Sequence, residues 1–382
     1  AVLAPTPPLP PHTLSLLLSA LRHEPLVDVH MSLLDMYTYH QARDLSSHTR
    51  FVYEYVCGRG SVETKRALMQ RVVHLIADPH AASVRKTYAL RVLLNPMLVS
   101  SYAAKEAPLS VETQVSVASS QKPECAHTIV SAANHEPLLN KEMVLLVVNQ
   151  VWRIVQGHGM AMFTDDELRV ELLQMSTLIL EHGADVLAAE GTSKLDAIKF
   201  GWSFLSLEDV TVKHAAYLFI SRFLQKFESP IKITGQVYVG LLRLTPSDGR
   251  ALVRRALDTL VPALPERVPS KDGQTPFWVK WTKRTLLDEG HNVLQLCSIL
   301  QLLVRYSDLF YDSRDLFVPH MVTSLAKLGF ASSSTAESKK LAIQLIDLLI
   351  KWDLPSSADT DAQGGDAESL SRQRIKTGSD TS

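Results

Sequence analysis

From Thr13 to Trp352 apolar residues recur at spacings of three and four, broken at intervals of roughly 15 to 25 residues by Pro, Gly, Asp or Ser. This rhythm limits the chain to amphipathic helices stacked side by side. In NVLQLCSILQLLVRY, Val293, Leu296, Cys297, Leu300 and Val304 make one stripe, while Leu294, Leu302 and Leu303 leave little of the circumference polar. SKKLAIQLIDLLIKW puts Leu341, Leu345, Leu348 and Trp352 on one face, and Ile343, Ile346 and Ile350 widen it. A helix apolar on most sides is expected to be covered by neighbours on most sides. Strand signals are scarce. QVYVGLLRL has β-branched residues but continues a helical pattern from Ile231, with no partner strand or hairpin turn in view.

The punctuation repeats in kind. EPL (24–26), EPLLN (136–140) and SPI (229–231) place Pro just before an apolar helix, where its missing N–H costs nothing. SVRKTYALRVLL and TVKHAAYLFISRFL each open with a hydroxyl residue, Val and a cation. Paired helices at a period of roughly 40 residues are the signature of HEAT-type arrays, and about eight pairs fit between Thr13 and Trp352. The expected fold is therefore all-α, a HEAT-type helical-repeat solenoid (an α-α superhelix). Two segments break the rhythm. Residues 104–136 mix polar, small and Pro residues and read as a long polar connection that can carry a short helix. Residues 354–382 have few apolar side chains and many Ser, Asp and Gly, and are expected to be a disordered tail or linker. The organisation expected is a first helical block at 1–103, the connection at 104–136, a second block at 137–353 and the tail.

Composition narrows the function. Hydrophobic residues make up 46% of the 382 and charged residues 21%, enough apolar surface for a large core. With 39 Lys plus Arg against 40 Asp plus Glu, no global field draws the chain to nucleic acid or anionic lipid, so partners must be found by local patches. Cys57, Cys125 and Cys297 form no CxxC or Cys/His pair and read as reduced, mostly buried thiols, as in a nuclear or cytosolic compartment. No apolar run approaches the ~20 residues of a membrane span, so a soluble chain without a membrane partner is expected. AVLAPTPPLPP has neither an initiator Met nor the parts of a signal peptide, and reads as the start of a piece excised from a longer chain.

Catalytic templates find no match: GxGxxG after a strand, GxxxxGK[ST], GxSxG and HExxH are all absent. CGRGS offers two glycines for a phosphate loop, but no strand precedes it, and a helix end followed by an N-capping Ser61 accounts for it better. The 14 histidines scatter, and even the densest group, His23, His30, His40 and His48, has no i, i+4 pair. No catalytic residue, cofactor or metal is therefore expected.

One local patch stands out. In FWVKWTKRTLLDEG, Lys280, Lys283 and Arg284 fall within about one helical turn, beside Trp278 and Trp281. Basic groups next to aromatics can bind nucleic acid or acidic peptides. The competing and plainer reading is a helix whose tryptophans pack inward while its cations stay solvated. No second basic cluster extends the patch, so no sequence-specific nucleic-acid binding is expected. The acidic, aromatic stretch RYSDLFYDSRDLFVPHMVTSLAKLGF (305–330) reads as a tight hinge between antiparallel helices. Ser307 or Asp308 caps a turn there, Leu309, Phe310 and Phe317 fill the inter-helix space, Pro319 sits near a helix start and Gly329 ends it.

FESPIKITGQVYVGLLR, VRRALDTLVPALPERVP, the run from TPFWVKWTKRTLLDEG to SLAKLGF, and TAESKKLAIQLIDLLIKWD, in that order and spacing, resemble the helical-repeat region of the TRRAP family. KFGWSFLSLEDVTVKHAAYLFISRF and NPMLVSSY extend the resemblance upstream. It implies part of a HEAT array in a very large, nuclear, PIKK-related pseudokinase scaffold of SAGA-type histone acetyltransferase complexes. It also implies protein partners: acetyltransferase-complex subunits, transcriptional activators and the remaining parts of the same large chain. The resemblance carries over no catalytic residue. Two other classes stay open on the residues alone, the regulatory HEAT solenoid of an active PIKK kinase and a HEAT-repeat transport adaptor.

Overall fold

The computed structural model describes residues 46–106, 136–244, 250–270, 273–331 and 334–353, with Val27, His30 and Met31. Every regular element among the described residues is helical, and the protein is an all-α, HEAT-type helical-repeat array. The tail, 354–382, and nearly all of the 104–136 connection lie outside the described residues. Contacts divide the chain into two compact units, Ala1–Ser229 with Asp248–Leu260, and Pro230–Ser247 with Val261–Ser382.

In the first unit short polar side chains start the helices by accepting from otherwise orphaned backbone N–H groups. Ser61 Oγ accepts from Thr64 N at 3.2 Å, Asn140 Oδ1 from Met143 N at 2.9 Å and Asp209 Oδ1 from Val212 N at 2.8 Å. Ser61 thus caps as its sequence suggests. The hydroxyls of SVRKTY and TVKHAAY do not, because those helices begin after Ala82 and Asp209. Three helices widen to π-helical pitch, at Val52–Cys57, Ala89–Leu94 and Val148–Trp152.

Helices on the two sides of the 104–136 segment pack against each other: Val62–Ala77 on Lys141–Val147, and Asn95–Glu106 on Asp166–His182. Arg66 donates to the carbonyls of Pro137 (2.7 Å) and Leu138 (3.2 Å), and Leu139 N donates to Tyr102 Oη at 3.0 Å. Glu171 accepts from Arg91 Nε at 2.7 Å and from Asn95 Nδ2 at 2.8 Å, so its buried charge is paired. The centre of the unit is aromatic. Fully buried Trp152 lies 5.8 Å from the Phe200 ring and 6.0 Å, edge-on, from Phe219, and its Nε1 donates to Ser176 Oγ at 3.0 Å. At Gly201 a Cβ would come within 2.6 to 2.9 Å of Phe219 and Ile220, so only Gly lets Ser193–Leu205 approach Val210–Lys226 this closely.

In the second unit the 305–330 stretch is a bend and not a tight antiparallel hinge: Val293–Arg305 meets Ser307–Leu316 at 92°. Phe310 and Phe317 are fully buried, 5.4 Å apart and edge to face. Neither Ser307 nor Asp308 caps the turn; Asp308 instead accepts from Lys351 Nζ at 3.1 Å across the unit. Pro319 occupies the first turn of Val318–Gly329, where its lack of an N–H is harmless. Among the described residues no single helix is long and apolar enough to cross a membrane.

Two buried histidines make stability pH-dependent. Burial lowers the His214 imidazole below its usual range, with Asp209 opposing the shift, and lowers His30 to about 4. Both take up a proton less readily in the fold than in the unfolded chain, where a histidine titrates near pH 6.5. The unfolded state therefore binds more protons as pH falls through 6.5, and stability is lost progressively down to about pH 4. Thermal unfolding between pH 7.5 and 4.5 should show a falling midpoint below 6.5, and His214→Gln should flatten part of that slope. Equal slopes for the two proteins would remove His214 from the account.

Candidate partner-binding surface

The patch singled out by the sequence lies on Phe277–Glu289, in the second unit. Pro276 precedes the helix and fixes the turn into it. Its inner face is locked. Trp278 is buried with its ring 5.2 Å from Phe310, edge to face, and Thr282 Oγ1 donates to Trp278 O at 2.8 Å. Tyr238 Oη lies 2.7 Å from Thr282 Oγ1, and burial pushes the Tyr238 phenol well above its usual range, so it stays neutral and structural.

The helix runs parallel to Ile231–Arg243. Gly235 faces Trp281, Tyr238 meets Thr282, and Arg243 pairs with Asp288 at 3.3 Å and Glu289 at 3.6 Å, so residue numbers rise together along the pair. A Cβ at Gly235 would stand 2.7 to 3.2 Å from three Trp281 ring atoms. The far edge of the indole thus abuts the bare backbone of the neighbouring helix at Gly235. Nothing in the local pattern shows this, because the partners are far apart in sequence; a Gly inside a strong helical pattern is the signal that points to it.

The cations divide. Lys280 is exposed, with Nζ 5.5 Å from the centroid of the Phe277 ring. Arg284 is also exposed, and its Nε lies 3.7 Å from Asp288 Oδ2 one turn on, a contact weakened by solvent. Lys283 is half-buried and lies further round the helix from Phe277 than Lys280 and Arg284 do. The structure therefore places Lys280 and Arg284 on one stripe with Phe277 and Trp281. Trp278 packs inward, as the plainer reading has it, whereas Trp281 is half-buried and stacks on Phe277 with ring centroids 6.3 Å apart. Phe277, half-exposed, is the surface residue that the sequence reading passed over.

Elsewhere the described residues hold no group of His, Cys, Asp and Glu with metal-binding geometry. Cys57 is buried and burial raises its thiol; Cys297 is half-buried, with Sγ 4.0 Å from Ser338 Oγ. Cys125, His23 and His40 lie outside the described residues.

Residues 9–382 match the family model described as the Tra1 HEAT repeat ring region. The chain is 30% identical over 331 residues to a probable transcription-associated protein 1 of Dictyostelium discoideum, covering 87% of this chain and 7% of that one. It is 38% identical over 188 residues to the SAGA complex/NuA4 acetyltransferase complex subunit TRA1 of Saccharomyces cerevisiae, covering 49% and 5%. It is 29% identical over 306 residues to the Homo sapiens transformation/transcription domain-associated protein, covering 78% and 7%. The chain thus spans less than a tenth of the length of these relatives. The family resemblance carried by the segments from Phe227 to Asp353 holds along almost the whole sequence, and the chain belongs to the Tra1 HEAT repeat ring family.

Proposed function

We propose that this chain is a non-catalytic scaffold segment of a nuclear transcription coactivator, linking activators to histone acetyltransferase complexes through a helical-repeat surface. The observation that carries the reading is the two-sided build of Phe277–Glu289. One side is fixed by Trp278, Thr282 and Tyr238, and the other presents Lys280, Arg284 and Phe277 to solvent. A rigid helix with a cationic and aromatic outer stripe suits the docking of acidic protein segments, with no reacting group required. The names of the yeast and human relatives support the transcriptional setting, and the SAGA and NuA4 wording of the yeast name supports acetyltransferase partners. Residues 104–136 and 354–382 act in this reading as a connection between two helical blocks and as a linker.

Triple charge reversal (K280E, K283E, R284E) in the full-length protein tests the partner role. Pull-down from nuclear extract with an immobilised acidic activator segment should recover at least about fivefold less of the variant, because opposed charge across an interface is replaced by repulsion. Acetyltransferase subunits bound elsewhere on the long chain should stay associated. Undiminished recovery by the activator would remove these three residues from partner binding.

A further inference from the structure

Thr164 stands directly before Asp165, Asp166 and Glu167, the only run of three acids in the sequence, and residues 154–163 ahead of it hold no Lys or Arg. The structure places Thr164 at the surface, in the non-helical residues that lead into Asp166–His182, and its hydroxyl makes no hydrogen bond among the described residues. The acids after it are held lightly. Asp165 Oδ1 caps the helix by accepting from Glu167 N at 2.9 Å, while exposed Asp166 and Glu167 pair with Arg169 and Arg91 in contacts weakened by solvent. A first helical turn held in this way opens readily, and Thr164 with its acids can then extend.

Two cations gather on the residue before Thr164. Phe163 is fully buried, its carbonyl accepts from Arg169 Nε at 2.7 Å, and Lys86 Nζ lies 5.6 Å from the centroid of its ring. Lys86 is 2% exposed and makes no hydrogen bond or ion pair among the described residues. Burial lowers its ammonium below the usual lysine range, with only Asp78 opposing. It is a buried cation short of a counter-charge.

We propose that Thr164 is the phosphoacceptor of an acid-directed Ser/Thr protein kinase, and that its phosphate is held by Arg169, Lys86 and the N-terminus of Asp166–His182. The kinase transfers the γ-phosphoryl group of ATP to Thr164 Oγ1. The Oγ1–P bond forms, the bond to the β-phosphate oxygen breaks, ADP leaves, and the hydroxyl proton passes to the kinase's base. A cation-lined kinase groove suits three acids immediately after the acceptor, and a kinase that reads upstream Arg or Lys finds none. The product sets close to two negative charges at a helix N-terminus, where anions are favoured, and supplies the counter-charge that Lys86 lacks. Asp166 and Glu167 oppose it only in part, since each already sits on an arginine. The phosphate thereby ties Ser83–Tyr88, which carries Lys86, to Asp166–His182, against which it packs.

The test incubates the purified full-length protein with ATP and either an acid-directed or a base-directed Ser/Thr kinase, each matched for activity on its own reference peptide. Mass spectrometry follows the tryptic peptide 154–169, in which Thr164 is the only hydroxyl residue. The acid-directed kinase should modify it at least about tenfold faster than the other, and D166N with E167Q should slow it about tenfold. Both substituted side chains are exposed, and circular dichroism checks that the fold is kept. In hydrogen exchange the first turn of Asp166–His182 should open at least about fivefold less often once phosphorylated, and Lys86→Met should remove most of that gain.

No phosphate on this peptide while other peptides of the same protein are labelled would overturn the proposal. So would equal rates for the wild type and the doubly substituted protein. A first turn that opens more often after phosphorylation, or a gain in protection that survives Lys86→Met, would overturn it as well.

Discussion

Trp152→Ala should be the most damaging single truncation in the first unit, costing about 3 to 5 kcal/mol. The indole is fully enclosed, touches Phe200 and Phe219, and gives its only N–H to Ser176, itself buried. Truncation removes the buried area, leaves a cavity among rings that cannot close over it, and strands a hydroxyl in the core. A loss of that size is comparable with the total stability of an ordinary domain. Hydrogen exchange of the full-length protein should show the helices around Arg153–His158, Ser193–Leu205 and Val210–Lys226 losing protection together. Trp202→Ala is the internal control. That side chain is 39% exposed, and its truncation should change stability by less than about 1 kcal/mol. Equal effects at Trp152 and Trp202 would mean that the aromatic core has been misplaced.

Phe310→Ala should do the same to the second unit, again at a cost of about 3 to 5 kcal/mol. Phe310 is the middle ring of three, 5.2 Å from Trp278 and 5.4 Å from Phe317, both edge to face. It connects the 92° bend after Val293–Arg305 to the inner face of Phe277–Glu289. Its removal frees Trp278 to move, and the outer stripe of that helix loses its fixed backing. The variant should therefore bind acidic segments more weakly although it alters no surface residue. Denaturant unfolding gives the stability loss, and exchange protection at Phe277–Glu289 gives the coupling. Protection there that survives Phe310→Ala would separate the bend from the surface.

That the chain is helical, and where a few of its helices begin or end, could be read from periodicity because burial on one face every 3.6 residues is a local property. Ser61 could be read as a cap for the same reason, since cap and recipient are three residues apart. What depends on distant neighbours could not be read. Leu341, Leu345, Leu348 and Trp352 are buried as their stripe requires, but Ile343, Ile346 and Ile350 are exposed at 61%, 44% and 57%, not covered. The helix Ala336–Asp353 packs on Val318–Gly329 and Val293–Arg305, and a third apolar face finds no described neighbour. The bend at Tyr306 was hidden because Ser307 and Asp308 look like caps, while a lysine 43 residues away takes the aspartate instead. The Lys280 patch was visible as charge. How its aromatic side chains pack was not, because Trp281 seats on Gly235, far away in sequence.

The most direct test of the scaffold account is affinity purification of the tagged full-length protein from nuclear extract, with the bound proteins identified by mass spectrometry. The account requires histone acetyltransferase-complex subunits in near-stoichiometric amounts, with activators recovered less abundantly and reduced by the charge reversal at Lys280, Lys283 and Arg284. A folded, helical bait that recovers only nuclear-import or vesicle proteins would contradict it.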